Sequence, residues 1–236
     1  MTSWSFALPD GAAVVAGGAG DLGRPLVAAL RQAGVRVAVL DLVAEGEDAF
    51  ACDLTDPAAV EAAVAAASES LGPIGSFVYA AGLQSEAELA EMTLEEFRRI
   101  TDASLTGCFL CARALAPRMA DGGAIVAFSS GLGTRGMAQG PHYAAAKAGV
   151  VALVKSLALE LGPRLRVNAV APGPIRSRMV DGMDADRIAG RGAGAIPLGR
   201  IGEPEDVVGP VLFLLGSGSA YMTGAVLHVN GGMLMP

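Results

Sequence analysis

The stretch that decides the fold is Ala12-Ala13-Val14-Val15-Ala16-Gly17-Gly18-Ala19-Gly20-Asp21-Leu22-Gly23. Its first five residues are apolar without alternation, which is how a strand buried on both faces of a parallel sheet reads. Glycines follow at once, and a helical pattern from about Leu22 to Ala33 follows them. The Gly18-x-Gly20-x-x-Gly23 spacing lets the chain turn tightly, approach a pyrophosphate and pack a helix on the sheet. The helix N-terminus then offers unpaired N–H groups and a positive dipole to the phosphates. A glycine pattern alone is equally a plain turn. Here it sits at a strand-to-helix junction, and Asp41 stands 18 residues beyond Gly23, where a ribose-binding acid belongs. Together they read as a dinucleotide-binding fingerprint.

Outward from this stretch, short β-branched runs alternate with Ala-rich helical patterns. Val35–Leu40, Phe77–Ala80, Ile125–Phe128, Val167–Val170 and Val226–Val229 read as further strands. Helices are expected over Pro57–Leu71, Leu94–Met119, Pro141–Leu161 and Pro204–Leu215, with start signals at Thr55-Asp56-Pro57, Thr93 and Pro141. Regular β-α-β alternation predicts an α/β fold: a Rossmann-like, doubly wound parallel sheet of about seven strands, helices on both faces, in one domain over 1–236. The Gly-rich stretch around 177–200 has weak periodicity and reads as a substrate lid.

Composition narrows the function. The 236 residues carry 17 Lys+Arg against 24 Asp+Glu, a net charge of −7, and 52% are hydrophobic. Disorder is excluded, and an acidic chain with no basic run argues against nucleic acid or anionic membranes as partners. The N-terminus lacks a signal-peptide pattern, and the apolar run Val207–Leu215 is broken by Gly209 and Pro210. Three cysteines, Cys52, Cys108 and Cys111, form no regular framework and fit a reducing compartment. A cytoplasmic protein is expected.

Asp41 also selects the coenzyme. A carboxylate there accepts hydrogen bonds from ribose hydroxyls and repels a 2′-phosphate, and no Arg or Lys lies within Gly17–Leu22 or beside Asp41. NAD(H) is therefore expected over NADP(H). Asp21 would be an unwelcome anion at the phosphate turn, so its carboxylate is expected to cap the following helix instead.

Tyr143-Ala144-Ala145-Ala146-Lys147 places a phenol and an ammonium on one face of a helix. A free phenol ionises near pH ~10. A lysine about 4 Å away supplies about 4 kcal/mol of phenolate stabilisation at an effective dielectric near 20, enough to make a general acid/base. Lys147 and Lys155 are the only lysines among the 17 basic residues. Thirteen residues before Tyr143, Ser130 follows a strand, where its hydroxyl can hold a carbonyl or alcohol oxygen in the crevice at the carboxyl ends of the sheet.

On these residues the sequence resembles the short-chain dehydrogenase/reductases of about 250 residues, over nearly the whole chain. Similar elements are Gly17–Gly23, Asp53-Leu54, Ala80-Ala81-Gly82, Ser130, Tyr143, Lys147, Asn168–Ile175 and the tail Gly224–Gly232. The resemblance implies that Tyr143 is the acid/base, that Lys147 binds the nicotinamide ribose and lowers the tyrosine pKa, and that Ser130 positions the substrate oxygen. It also implies coenzyme contacts from Gly17, Gly20, Asp21, Leu22, Gly23, Asp41, Leu42, Asp53, Leu54, Ala80, Ala81, Gly82, Tyr143, Lys147, Pro172, Gly173, Ile175 and Ser177. No metal is implied, and a homotetramer is. Three positions depart from the pattern. Ser104 stands where the family carries a catalytic Asn whose backbone carbonyl holds a water leading to the lysine. Tyr79-Ala80 replaces Asn-Asn, and Ala16 replaces Thr, both scaffold positions.

Other signals read as structural. Cys108-x-x-Cys111 lies inside an apolar helix and has no second ligand pair. His142 reads either as a substrate-facing residue or as a solvated helix start, and His228 as a scaffold residue. Arg176, Arg178, Arg187 and Arg191 flank the lid as a solvated face or as anion contacts. Leu83, Leu132, Met137, Met179, Met183 and Ile188 are expected to line an apolar pocket. The expected activity is NAD(H)-dependent hydride transfer with a small, fairly apolar secondary alcohol or ketone. A 3-oxoacyl-thioester reductase and a sugar or polyol dehydrogenase are the alternatives within that chemistry. A non-catalytic nucleotide-binding scaffold is the alternative outside it.

Overall fold

The computed structural model describes residues 6–43, 45–178 and 196–235. Seven parallel strands form one sheet: β1 Ala12–Ala16, β2 Val37–Asp41, β3 Ala49–Ala51, β4 Ile74–Tyr79, β5 Met119–Phe128, β6 Arg166–Pro172 and β7 Val226–Val229. Their spatial order is β3-β2-β1-β4-β5-β6-β7. The chain thus builds outward from β1 in one direction, returns, and builds from β4 in the other. The connections diverge between β1 and β4, which makes that junction the topological switch point where ligands of such sheets bind.

The sheet is apolar on both faces because both are covered. Val14, Ala16, Leu40, Phe77, Tyr79 and Ile125 pack with α2 Pro57–Leu71, α4 Gly107–Leu115 and α6 Pro141–Leu161. Their strand neighbours Ala13, Val15, Val39, Val78, Val126 and Phe128 pack on the other face with α1 Gly23–Gln32 and α7 Val208–Leu215. The start signals work as their chemistry requires. Asp56 caps α2 by accepting from the N–H groups of Ala58 and Ala59, with Pro57 in the first turn. Thr93 accepts from Glu96 N–H at the start of α3 Leu94–Thr101.

Three features depart from expectation. The three-residue edge strand β3 and the short α5 Leu132–Arg135 are too brief to show a period. The helix expected over Leu94–Met119 is interrupted: α3 and α4 are joined by a π-turn at Asp102–Thr106, in which Gly107 N–H reaches the Asp102 carbonyl five residues back. Of the expected lid, residues 179–195 lie outside the described residues, and with them Met179, Met183, Arg187, Ile188 and Arg191.

Candidate active site

The loops after β1 and β4 meet at the switch point. Gly17 has φ +78°, and a Cβ there would stand 2.5 Å from the Ala81 nitrogen, so glycine is required both by conformation and by the close passage of the second loop. At Gly23 a Cβ would clash with the Gly17 carbonyl oxygen, so the turn closes directly on the start of α1. Asp41, at the end of β2, accepts from the Ala19 N–H at 3.0 Å and fixes the turn from the side. Arg24 donates to the Ala19 carbonyl at 2.7 Å, a cation on the glycine turn that the sequence reading passed over. Leu42 is exposed beyond Asp41. Asp53 accepts from the Thr55 N–H and hydroxyl, and those hydrogen bonds hold its carboxyl below the usual range. Leu54 is buried in the core.

Asp21 does not cap α1. The N-cap is Leu22, without a side-chain hydrogen bond. The Asp21 carboxylate instead accepts from the backbone N–H and the Nε of Arg178, each at 2.9 Å. A guanidinium and an amide arriving from the far side of the crevice satisfy it better than one helix N–H, and they offset its charge at the phosphate turn. Arg176 pairs with Glu203 at 3.1 Å, so neither described arginine of the flanking set is unpaired.

At the ends of β4, β5 and β6 the polar residues converge. The segment after β5 is stitched to α6: Ser129 donates to the Lys147 carbonyl at 2.8 Å, and Lys147 Nζ donates to the Phe128 carbonyl at 2.9 Å. These bonds bring Ser130 within hydrogen-bonding reach of Tyr143, while Lys147 Nζ lies 5.8 Å from the Tyr143 ring centroid. Ser104 is also drawn in. A Cβ on Gly82 would stand 3.2 Å from both Lys147 Nζ and Ser104 Oγ, so the ammonium and the hydroxyl share that strand end. Ser104 Oγ is fully buried and has no hydrogen-bond partner among the described residues. Ala80 continues the sheet by donating its N–H to the Ala16 carbonyl. Pro172, Gly173, Ile175 and Ser177 follow β6 on the same edge. A Cβ on Gly173 would stand 2.8 Å from Asn230, and Ser177 donates to the Ile175 carbonyl. Of the described residues expected to line an apolar pocket, Leu83 follows β4 and is exposed, while Leu132 at the start of α5 and Met137 just after it are half-buried.

The electrostatics correct one expectation. Burial raises the Tyr143 phenol, opposed by the Ser130 hydrogen bond. Lys147, itself desolvated, is pushed down to about 8. The phenol's own desolvation outweighs what its neighbours supply, so in the protein alone it is not brought down. His142 corrects another: it is fully buried, not solvated. Its Nε2 lies 3.0 Å from Ser85 Oγ, whose proton goes to Glu96 Oε1 at 2.6 Å, so Nε2 donates. The three cysteines are free and buried, as the structural reading of Cys108-x-x-Cys111 expects.

A family model described as enoyl-(acyl carrier protein) reductase matches residues 12–234. The MabA 3-oxoacyl-(acyl-carrier-protein) reductase of Mycobacterium tuberculosis is 36% identical over 228 residues, 94% of this chain and 92% of that one. The chain belongs to the short-chain dehydrogenase/reductase family. As a member, it is an oxidoreductase with the family's nicotinamide-binding fold. The family's trans-4-hydroxycyclohexanecarboxylate dehydrogenase from Sinomonas cyclohexanicum is 40% identical over 182 residues, 76% of this chain and 68% of that one. A solved structure titled as a blue fluorescent protein from a metagenomic library, in complex with NADPH, has a TM-score of 0.88 at 31% identity. It covers 96% of this chain and 99% of its own. Tyr79 and Arg24 make contacts near the site that the sequence does not announce, Tyr79 with the Ala103 carbonyl and Arg24 with the Ala19 carbonyl. The signal for Tyr79 was a bulky phenol at a scaffold position, next to the Ala80-Ala81-Gly82 turn.

Proposed function

We propose that the protein is an NAD(H)-dependent dehydrogenase or reductase of a small, fairly apolar secondary alcohol or its ketone. The observation that carries this is the convergence of Ser130, Tyr143 and Lys147 on the edge of the sheet that holds the glycine turn. The glycine turn fits a dinucleotide: side chains are excluded where Gly17 and Gly23 close on backbone, and α1 begins there. A bound nicotinamide supplies the hydride acceptor or donor. The chain's own residues manage the oxygen and its proton. In the oxidative direction Tyr143 takes the hydroxyl proton as the C–H hydride leaves. In reduction it returns a proton to the carbonyl oxygen. Ser130 holds that oxygen against the phenol, and Lys147 would hold the nicotinamide ribose and, as an ammonium, balance the negative charge of the phenolate form of Tyr143. Ser104 borders the same space as Lys147, a buried hydroxyl without a protein partner among the described residues that is free to join a relay through the ammonium.

Asp41 supports NAD(H): its carboxylate, fixed by Ala19, disfavours a 2′-phosphate. Arg24 at the same turn and the NADPH-bound structural neighbour make NADP(H) the comparison to run. The hydroxycyclohexanecarboxylate dehydrogenase supports a cyclic secondary alcohol. The acyl-carrier-protein reductase gives a 3-oxoacyl thioester as the second substrate class to assay. Partly exposed Phe97 on α3 and Phe109 on α4, with Leu159 on α6, support a homotetramer packed through these helices. Three free thiols support a reducing, cytoplasmic setting. Among the described residues no helix is long and apolar enough to cross a membrane.

The test is turnover of cyclic and aliphatic alcohols, polyols and 3-oxoacyl thioesters with each coenzyme, in wild type and Tyr143→Phe. Expected are a kcat/KM at least ~10-fold higher with NAD(H) than with NADP(H), and a kcat loss of ~1,000-fold in Tyr143→Phe with coenzyme affinity unchanged. Turnover of Tyr143→Phe within tenfold of wild type would remove the acid/base assignment. Coenzyme binding without turnover of any substrate would favour the scaffold reading.

A further inference from the structure

Tyr79 is fully buried at the end of β4, and its hydroxyl donates to the Ala103 carbonyl at 2.6 Å. Ala103 lies inside the π-turn that interrupts the long helix, immediately before Ser104. Wide turns of this kind are uncommon and cluster at functional sites. Two further observations mark this contact as built. Gly107 opens α4, in a position where a helix disfavours glycine against alanine. A Cβ at Gly107 would stand within bonding-clash range of Tyr79 Oη and 2.9 Å from the Leu54 carbonyl, so glycine is what admits the phenol. Burial raises the Tyr79 pKa well above that of an ordinary tyrosine, so it stays a neutral donor through the working pH range.

Three residues further along, the loop that leaves this strand carries Gly82, whose missing side chain leaves a space that Lys147 Nζ and Ser104 Oγ both border. The β4 end therefore grips the π-turn from behind through Tyr79 and leaves room in front of it through Gly82. Thr106 braces the turn internally by donating to Asp102 Oδ1 at 2.8 Å.

We propose that Tyr79 is a positioning residue: by holding the Ala103 carbonyl it fixes the π-turn so that Ser104 stays beside Lys147. The inference rests on the proposed roles of Tyr143, Lys147 and Ser104. Without the phenol, the Ala103 carbonyl loses its buried donor, the turn is free to relax toward a regular helix, and Ser104 rotates away from the ammonium.

The experiment is a double-mutant cycle of Tyr79→Phe and Ser104→Ala, with Gly107→Ala as a second approach to the same contact. Each is read by kcat against pH at saturating coenzyme, coenzyme Kd and Tm. Tyr79→Phe is expected to lower kcat ~10-fold and shift the pH profile while leaving coenzyme Kd within about twofold, because a misplaced group costs rate more than binding. In the Ser104→Ala background the same change is expected to have almost no further effect on kcat, since coupled residues are non-additive. Gly107→Ala, which displaces the phenol without deleting it, is expected to give the same pH signature. An unchanged kcat and pH profile in Tyr79→Phe with only a lower Tm, or additive losses in the cycle, would overturn the proposal. The reading beneath it fails separately, by an active Tyr143→Phe.

Discussion

Lys147 is one of two lysines in the chain, and its ammonium is buried against a single carbonyl, that of Phe128. Its folded pKa, about 8, lies below the ordinary lysine value because burial penalises the charge. Between those two values the unfolded chain holds a proton that the folded chain has released, so stability rises with pH across that window and is lost as pH falls through about 8. Urea unfolding of wild type and Lys147→Met from pH 7 to 10 is expected to show the difference, wild type minus variant, moving in favour of wild type as pH rises. A flat difference would show an ordinary lysine. Activity is expected to move the opposite way, falling above about pH 8 as the ammonium is discharged. Ser130, Tyr143 and Lys147 were legible at this scale because a four-residue spacing on a helix and a serine past a strand are local patterns. Tyr79 was not, because what makes its hydroxyl matter is the missing Cβ of Gly107 and a carbonyl at Ala103, both distant in sequence. Asp21 misled for the same reason: its partner Arg178 is 157 positions away.

The helices over Pro57–Leu71 and Pro141–Leu161 were read to the residue because a Pro marks each start, whereas the one expected from Pro204 opens with a 3-10 turn and becomes α-helical only at Val208. The π-turn was invisible, since Asp102-Ala103-Ser104-Leu105-Thr106 keeps the apolar rhythm of a continuous helix, and the extra residue declares itself only through packing. The end of α7 shows how one side chain can complete an element. Arg166, at the start of β6, donates to the carbonyls of Leu214, Leu215, Gly216 and Ser219 and to the Ser219 hydroxyl, at 2.7 to 3.2 Å. The final carbonyls of a helix otherwise lack partners. Arg166→Met keeps the stem and removes the donors. It is expected to cost about 2 kcal/mol, the penalty for leaving such acceptors unpaired, a fall in Tm of ~4–8 °C by calorimetry. A change below ~1 °C would mean that solvent replaces the guanidinium fully.

At the scale of the molecule, the alternation of strands and helices gave the parallel sheet, and the glycine turn placed its switch point between β1 and β4. The loops beyond the carboxyl edge were less legible, because irregular backbone carries no period and its bonds are long-range. His142, Ser85 and Glu96 tie three segments together in a way no local pattern announces. The packing that buries one face of the sheet under α2, α4 and α6 has a practical outcome for the sulfur atoms of Cys52, Cys108 and Cys111. Burial pushes the first two thiols up to about 11 and 12, and the third higher still, so scarcely any reactive thiolate exists in the native protein. An aromatic disulfide reagent in excess must then wait for the chain to open. The three sulfurs are expected to react together, at a rate independent of reagent concentration, so that the colour released times the opening of the molecule without any introduced probe.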